Sequence, residues 1–270
     1  MFRLNFIKNP TALLIIALIV VGFFVYAFNL NNPLFWDDDD WIINNNFVHT
    51  ISWDNIKFWL THNTLAGVGL ESNYYRPFLF FTFALNYIIS GVKPFGYHLF
   101  SNLIHIANGV LIFLLLKRLN LGNSNPPKVQ PQKSPRLNLG TLTAFLTALF
   151  FIIHPLQTEA ITYISGRGDA LVAMFMLLVL LSFLKAQGST LKILKVEPWM
   201  TLSLASLFLG LLSRETAIIF PFLALVFYVS FISKERFLKS IKEGLIKTWS
   251  YFAVVLVYGI LRLTVLNFQN

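Results

Sequence analysis

The chain has 270 residues, 56% apolar and only 12% charged, about half the roughly 25% charged share of an ordinary soluble domain. With 28 Phe and no cysteine, and a mean hydropathy of +0.66, water is not its main solvent, and disulfides and thiolate metal sites are excluded. A formal charge of +9 would suit nucleic acid, but its distribution follows membrane topology instead, so no nucleic-acid partner is expected.

Arg3 and Lys8 precede an apolar run from Thr11 to Phe28, and no small-x-small cleavage pattern follows at Val25-Tyr26-Ala27-Phe28-Asn29. This reads as an uncleaved first span with a cytoplasmic N-terminus. Further apolar stretches lie at 97–116, 139–154, 170–185, 198–213, 216–233 and 248–266, so with 11–30 the sequence predicts an all-α polytopic membrane protein of about seven transmembrane helices. The run from Phe78 to Ile89 has 12 residues, about 18 Å of helix against a hydrocarbon core of about 30 Å. It is expected as a short interfacial or re-entrant helix inside the first external loop, 31–96, with Thr82 and Asn86 on one face.

Charge tests this arrangement. The cytoplasmic segments 1–10, 117–138, 185–197 and 234–247 then hold 15 of the Lys and Arg, against 6 outside, as the positive-inside bias requires. Were 78–89 to span, the basic loop 117–138 would move outside. That loop, rich in Asn, Pro, Ser and Lys, reads as a disordered cytoplasmic linker within a single module, 1–270. The chain stops just after the last span, which suggests a fragment truncated at its C-terminus, or a minimal module.

Nine of the twelve acidic residues fall outside, collected with Arg76, Arg167 and Arg214 at external span ends. Ionisable groups at membrane level are costly and usually functional. Acids and arginines mixed on one side suit an anionic ligand whose reaction also needs a base. The first constellation is Phe35-Trp36-Asp37-Asp38-Asp39-Asp40-Trp41-Ile42-Ile43-Asn44-Asn45. Four adjacent carboxylates repel one another, which should raise some of their pKa values and make a general base. The same string fits a solvated acidic turn or a loose cation site. Tyr74-Tyr75-Arg76-Pro77 offers a planar fork for phosphate oxygens, and equally an anchor at headgroup depth.

His154-Pro155-Leu156-Gln157-Thr158-Glu159 runs on to Ser165-Gly166-Arg167-Gly168-Asp169, too rich in polar chemistry for a passive turn. Arg214-Glu215 is either a further site pair or an internal ion pair capping the next helix. His98, Asn102, His105 and Gly109, at offsets 0, 4, 7 and 11, share one helical face and suit interior packing. The five histidines are scattered, so no tetrahedral metal site is expected. No cofactor is called for, although the aspartates are open to a hard divalent cation such as magnesium or manganese.

In this order the residues resemble a known family. The series is the aromatic-Asp-Asp string after the first span, Tyr75-Arg76-Pro77, Gly96-Tyr97-His98-Leu99 with Asn102 and His105, His154-Pro155 with Glu159, Gly166-Arg167, and Arg214-Glu215. It is similar to the N-terminal membrane module of the transmembrane and tetratricopeptide-repeat O-mannosyltransferase family and its prokaryotic relatives, of the glycosyltransferase-C fold. The resemblance covers about residues 10–230. The family often has Lys where Arg214 stands and, in some members, Glu where Asp169 stands; neither exchange removes the charge.

The resemblance implies a hexosyltransferase with a catalytic Asp in the first external loop, at Asp38 or its neighbour Asp37. It implies transfer of a sugar, mannose in the named family, from a polyprenyl or dolichyl phosphate to a hydroxyl of a protein or glycan. One base and direct displacement would invert the anomeric centre. Arg76, Arg167 and Arg214 would hold the donor phosphate. Tyr75, His98, His154, Glu159, Asp169 and Glu215 would bind or orient substrate. The lipid tail would lie between spans among membrane lipid, in the bacterial inner membrane or the endoplasmic reticulum, with the site outside or lumenal. A transporter or flippase for lipid-linked anions, or a non-catalytic scaffold, are the other readings; a transporter commonly shows repeated halves, and none are visible in the sequence.

Overall fold

The computed structural model describes residues 9–119, 139–187 and 197–266. The expectation of a cytoplasmic linker at 117–138 falls on 120–138 outside them, apart from its first three residues, which are helical. All regular structure among the described residues is helical.

Helix α1, Pro10–Tyr26, is opened by Asn9, whose side chain accepts from the Thr11 amide at 3.0 Å. Pro10 loses nothing at the first position, where its missing N–H has no partner in any case. The helix runs through one tighter turn to Asn29 as a 20-residue apolar span. Helix α2, Trp53–Thr61, lies in the following loop and is capped by Ser52. Helix α3, Pro77–Ser90, is the expected short helix, one residue longer at each end. Pro77 opens it and Gly91, at φ 57°, stops it. Its 14 residues reach about 21 Å, too short to cross.

Helix α4, Pro94–Leu119, has 26 residues. Helix α5, Leu139–Ile153, bends by 52° into the segment Pro155–Thr162, because the Pro155 ring cannot continue a helix; that segment ends in the short α6, Thr158–Thr162. Helices α7, Arg167–Gln187, and α8, Pro198–Ser213, follow. Then come α9, Phe220–Phe227, flanked by tighter and wider turns in one span Glu215–Ile232, and α10, Phe237–Val265. By length and apolarity five helices can cross a membrane, or six with the bent pair taken as one. The seventh expected span is α8, whose 16 residues give about 24 Å and fall short by that measure. The stretch 234–247, expected as a cytoplasmic segment between spans, is helical from Phe237: Lys, Ile, Glu and Leu all propagate a helix well, and Lys239, Lys242 and Lys247 are exposed.

The core has three parts. The loop after α1 and helix α3 pack on α4 and α7 around Trp41, Ile42, Leu79 and Phe83. Helices α7, α8, α9 and α10 pack around Val179, Leu207, Phe220 and Tyr251. Helices α1, α4 and α5 pack around Leu18, Phe113 and Ile152. At Gly109 a Cβ would come within 2.4 Å of the Ile152 side chain, so α4 and α5 meet where small residues let backbones approach. The stripe on α4 is interior as expected. Asn102 exchanges amide hydrogen bonds with Asn29 at 2.9 and 3.1 Å, and His105 Nε2 donates to the Ile152 carbonyl at 3.1 Å.

Sidedness can be checked by labelling. The native chain has no cysteine, and Asp54 and Leu156 are exposed. In sealed right-side-out vesicles, Asp54→Cys and Leu156→Cys are expected to react with an impermeant thiol reagent, and Pro127→Cys only after permeabilisation. Labelling at 127 without permeabilisation would reverse the arrangement of the first loop.

Candidate active site

The acidic string sits on a tight turn directly after the α1 span. The Asp38 amide donates to the Phe35 carbonyl at 3.3 Å and the Asp39 amide to that of Trp36 at 3.0 Å. One wide helical turn, Asp39–Ile43, then buries Trp41 and Ile42, with Trp41 beside the Phe80 and Phe83 rings of α3. This geometry separates the two candidate bases. Asp37 is exposed; Asp38 is wholly buried.

Asp38 is held on both oxygens. Ser165 donates to Oδ1 from its backbone amide at 2.9 Å and from its hydroxyl at 2.5 Å, and the Phe35 amide reaches Oδ2 at 3.3 Å. Burial raises its pKa; the Ser165 and Phe35 hydrogen bonds and the Arg167 charge oppose the rise without cancelling it. Repulsion within the string, the cause expected from sequence, is not what raises it. Burial, with the adjoining Asp37 carboxylate, pushes the Tyr163 phenol up to about 12. Tyr163 is therefore a neutral hydroxyl beside Asp37 at neutral pH.

Arg167, expected at the donor phosphate, is enclosed by protein at 0% exposure. Its Nε donates to the Ser101 hydroxyl at 3.1 Å, Nη1 to Asn86 Oδ1 at 2.6 Å and to the Thr82 hydroxyl at 3.3 Å, and Nη2 to the Tyr97 carbonyl at 3.0 Å. The rings of Phe83, Tyr97 and Phe100 lie 4.9–5.9 Å from the guanidinium carbon. Neutral oxygens and ring faces solvate this cation together. The clamp joins α3, α4 and the first residue of α7, two positions beyond Ser165, so it fixes the turn that holds Asp38.

Arg76 and Glu215 form a mostly buried ion pair. Arg76 Nε and Nη2 both donate to Oε2, at 3.1 and 3.0 Å, and the Tyr75 amide donates to Oε1 at 3.1 Å. Tyr74 and Trp41 place their rings 4.3 and 5.8 Å from the guanidinium carbon. Arg76 also borders a small pocket with Asn45, His62, Asn63, Thr64 and Trp59, whose buried indole N–H has no partner among the described residues. Tyr75 is buried, donates from its hydroxyl to the Leu60 carbonyl at 3.0 Å, and has the Tyr258 hydroxyl of α10 on its own carbonyl at 3.5 Å. Arg214 pairs with Asp169, both partly exposed. A Cβ at Gly168 would stand 3.3 Å from the Ser213 carbonyl, so a small residue lets the start of α7 approach Arg214.

The remaining expected residues divide. His98 is buried, and its Nε2 donates to the Asn32 carbonyl at 3.0 Å, which ties α4 to the chain leaving α1. His154 is half-buried and its Nδ1 accepts from the Leu156 amide at 3.2 Å; Glu159 is exposed. The structure thus brings Asp37, Asp38, Tyr163 and Ser165 together in one group and Arg76, Glu215, Arg214 and Asp169 in another, with Ser165 and Asp169 on either side of the first residue of α7. Among the described residues no three His, Asp or Glu side chains come together in a set fit for a metal ion. Ser165, Ser101 and Tyr163 were missed from sequence. A serine or tyrosine in a loop carries no periodic signal, although Ser165 lies in the polar run singled out there, and Thr82 and Asn86 share the face that meets Arg167.

No family model matches the chain, and no solved structure matches it. Among curated proteins it is 30% identical over 242 residues to "Protein O-mannosyl-transferase TMTC4" of Mus musculus, covering 86% of this chain and 32% of that protein. It is 32% identical over 219 residues to "Protein O-mannosyl-transferase TMTC1" of Homo sapiens, covering 75% of this chain and 22% of that protein. A shorter match, 36% over 120 residues, links it to "Protein O-mannosyl-transferase Tmtc3" of Drosophila melanogaster, covering 43% of this chain and 13% of that protein. The chain spans about a third or less of the length of these relatives. By this similarity along most of its length, the chain is a homologue of the transmembrane and tetratricopeptide-repeat O-mannosyltransferases, matching about a third or less of each.

Proposed function

We propose that this chain is a membrane glycosyltransferase module that moves a sugar, mannose by analogy with its relatives' names, from a polyprenyl or dolichyl phosphate to a hydroxyl of a protein or glycan. The observation that carries the proposal is an exposed carboxylate, Asp37, on a turn that Ser165 holds through Asp38, with the Arg214–Asp169 ion pair four residues beyond Ser165 and the Arg76–Glu215 pair at the residue after Arg214. Asp37 accepts the proton of the acceptor hydroxyl. The acceptor oxygen attacks the anomeric carbon from the face opposite the phosphate, the bond from that carbon to the phosphate oxygen breaks, and the lipid phosphate leaves with inversion. Asp38 is too enclosed to meet an acceptor, and it sets the turn from which Asp37 projects. The leaving phosphate gathers charge in the transition state, and fixed cations there lower the barrier. Arg214, partly exposed, and Arg76, with its Nη1 hydrogens uncommitted among the described residues, supply them. Arg167 is left out because its donors are turned into the protein. Asp169, Glu159 and His154 stand at the rim for sugar hydroxyls, and Glu215, Tyr75 and His98 position the machinery.

Lys117, Arg118 and Lys185 stand at the opposite end of the bundle, where α4 meets α1 and α7 and where α7 ends. This supports a site on the non-cytoplasmic face. The functional test is incubation of the purified chain in lipid nanodiscs with labelled polyprenyl-phosphate sugars and a threonine-containing peptide. Transfer from one donor supports the proposal. Movement of donor across liposomes without transfer would favour a flippase. On the same preparations Arg214→Ala is expected to weaken donor binding about 10-fold, the loss of one charge-assisted phosphate contact. Arg214→Lys should recover part of it, because the charge remains although the fork is lost. Unchanged donor affinity in Arg214→Ala would remove that residue from the phosphate site.

A further inference from the structure

Trp36 combines two features. It is the one non-glycine residue among the described residues with positive φ, at 56°, and its side chain is 80% exposed. A left-handed backbone is costly for a non-glycine residue, and a bulky side chain there is an outlier. Such strain tends to collect at functional sites. A Trp at headgroup depth can serve as a membrane anchor, but an anchor gains nothing from this backbone, since an unstrained turn would display an indole equally well.

What the conformation achieves is placement. Trp36 immediately precedes Asp37, and the Phe35 ring on its other side lies 6.1 Å from the indole and 5.3 Å from the Tyr163 ring. Tyr163 stands beside the exposed Asp37 carboxylate, the Phe35 ring packs between Tyr163 and Trp36, and the indole at the end of that series is largely exposed. We infer that Trp36 is a docking surface for a polypeptide acceptor, stacking on the chain next to the serine or threonine whose hydroxyl meets Asp37. The inference rests on the reading of Asp37 as the base. The donor's charge belongs with Arg76 and Arg214, which leaves the Trp36 side for the uncharged partner. The indole's recorded neighbour is the Phe35 ring, and a largely exposed indole beside another ring suits apolar side chains and peptide planes better than the hydroxyls of a sugar.

Two measurements on the full chain in phosphatidylcholine nanodiscs test this. In the first, Trp36→benzoylphenylalanine is irradiated with a synthetic threonine-containing peptide. A crosslink to the peptide that excess unlabelled peptide suppresses is expected; crosslinks to lipid alone would show an anchor and overturn the inference. In the second, Trp36→Gly, which relieves the backbone, should keep or raise the melting temperature. It should also raise the acceptor KM about 10-fold, as loss of a central aromatic contact does, and leave the donor KM unchanged. Trp36→Phe should restore most of the acceptor KM. An unchanged acceptor KM in Trp36→Gly would also overturn it. If the native chain transfers no sugar at all, it is the transferase reading that fails, and the crosslink still decides the role of Trp36.

Discussion

Asp37→Asn is expected to reduce sugar transfer by about 100-fold or more, the contribution of a positioned general base, with no change in thermal stability. Asp38→Asn is expected to act first on stability. The amide keeps one oxygen for Ser165 but turns an NH2 group toward the Phe35 amide, which leaves a buried donor unpaired at a cost of about 1–3 kcal/mol. Transfer then falls because the turn carrying Asp37 loosens. The pH dependence separates the two further. Asp38 has a folded pKa raised by burial above its unfolded value of about 3.9, so the folded state binds that proton more tightly. The stability it contributes is full below the unfolded value and is lost as pH rises through the folded one. Asparagine cannot titrate. The stability of the native chain relative to Asp38→Asn should therefore be greatest in acid and shrink toward neutral pH. Thermal unfolding of both proteins across that range, with transfer rates on the same samples, is the measurement. Full transfer by Asp37→Asn together with loss in a stable Asp38→Asn would exchange the two roles.

Arg167 should give the largest stability effect in the chain. Arg167→Met preserves much of the volume but removes the donors to Asn86 Oδ1, the Ser101 hydroxyl and the Tyr97 carbonyl in a closed interior, while the Thr82 hydroxyl keeps the Leu79 carbonyl. A loss of about 3 kcal/mol or more is expected, the range for a broken buried polar network. Arg167→Lys should do little better, since an ammonium cannot reproduce the planar spread of donors; the contrast with partial rescue at Arg214 is part of the prediction. Donor affinity per folded molecule should be unchanged in whatever fraction folds. An Arg167→Lys protein as stable as the native one but weak in donor binding would return Arg167 to the phosphate site.

Much of the membrane architecture could be read from sequence because the bilayer imposes lengths. An apolar run of 20 residues or a 12-residue Phe-rich run has a physical reach that can be compared with the hydrocarbon core, so α1, α3, α4, α7 and α9 fall where hydropathy puts them. The ends were less legible. Helix α10 begins well before its apolar stretch, because exposed lysines do not interrupt a helix although they remove it from a hydropathy window. The bend after α5 is set by one residue, Pro155, in a run that otherwise reads as a polar connection.

The candidate site was legible as a list of residues rather than as an arrangement. The sequence alone put the acids and arginines at the ends of apolar runs, because uncompensated charge is excluded from hydrocarbon and only span ends or an enclosed cluster can hold it. It also placed His98, Asn102 and His105 on one interior face, since the helical period is a local property. Only the tertiary structure decided which arginine meets solvent and which is spent on the interior. It also decided that Asp38 turns inward to Ser165 while Asp37 faces out, and that Trp36 is held in a left-handed turn beside it. Adjacent identical residues carry the same sequence signal. Their roles differ because burial and hydrogen-bond partners come from residues more than a hundred positions away, as Ser165 does for Asp38 and Glu215 for Arg76.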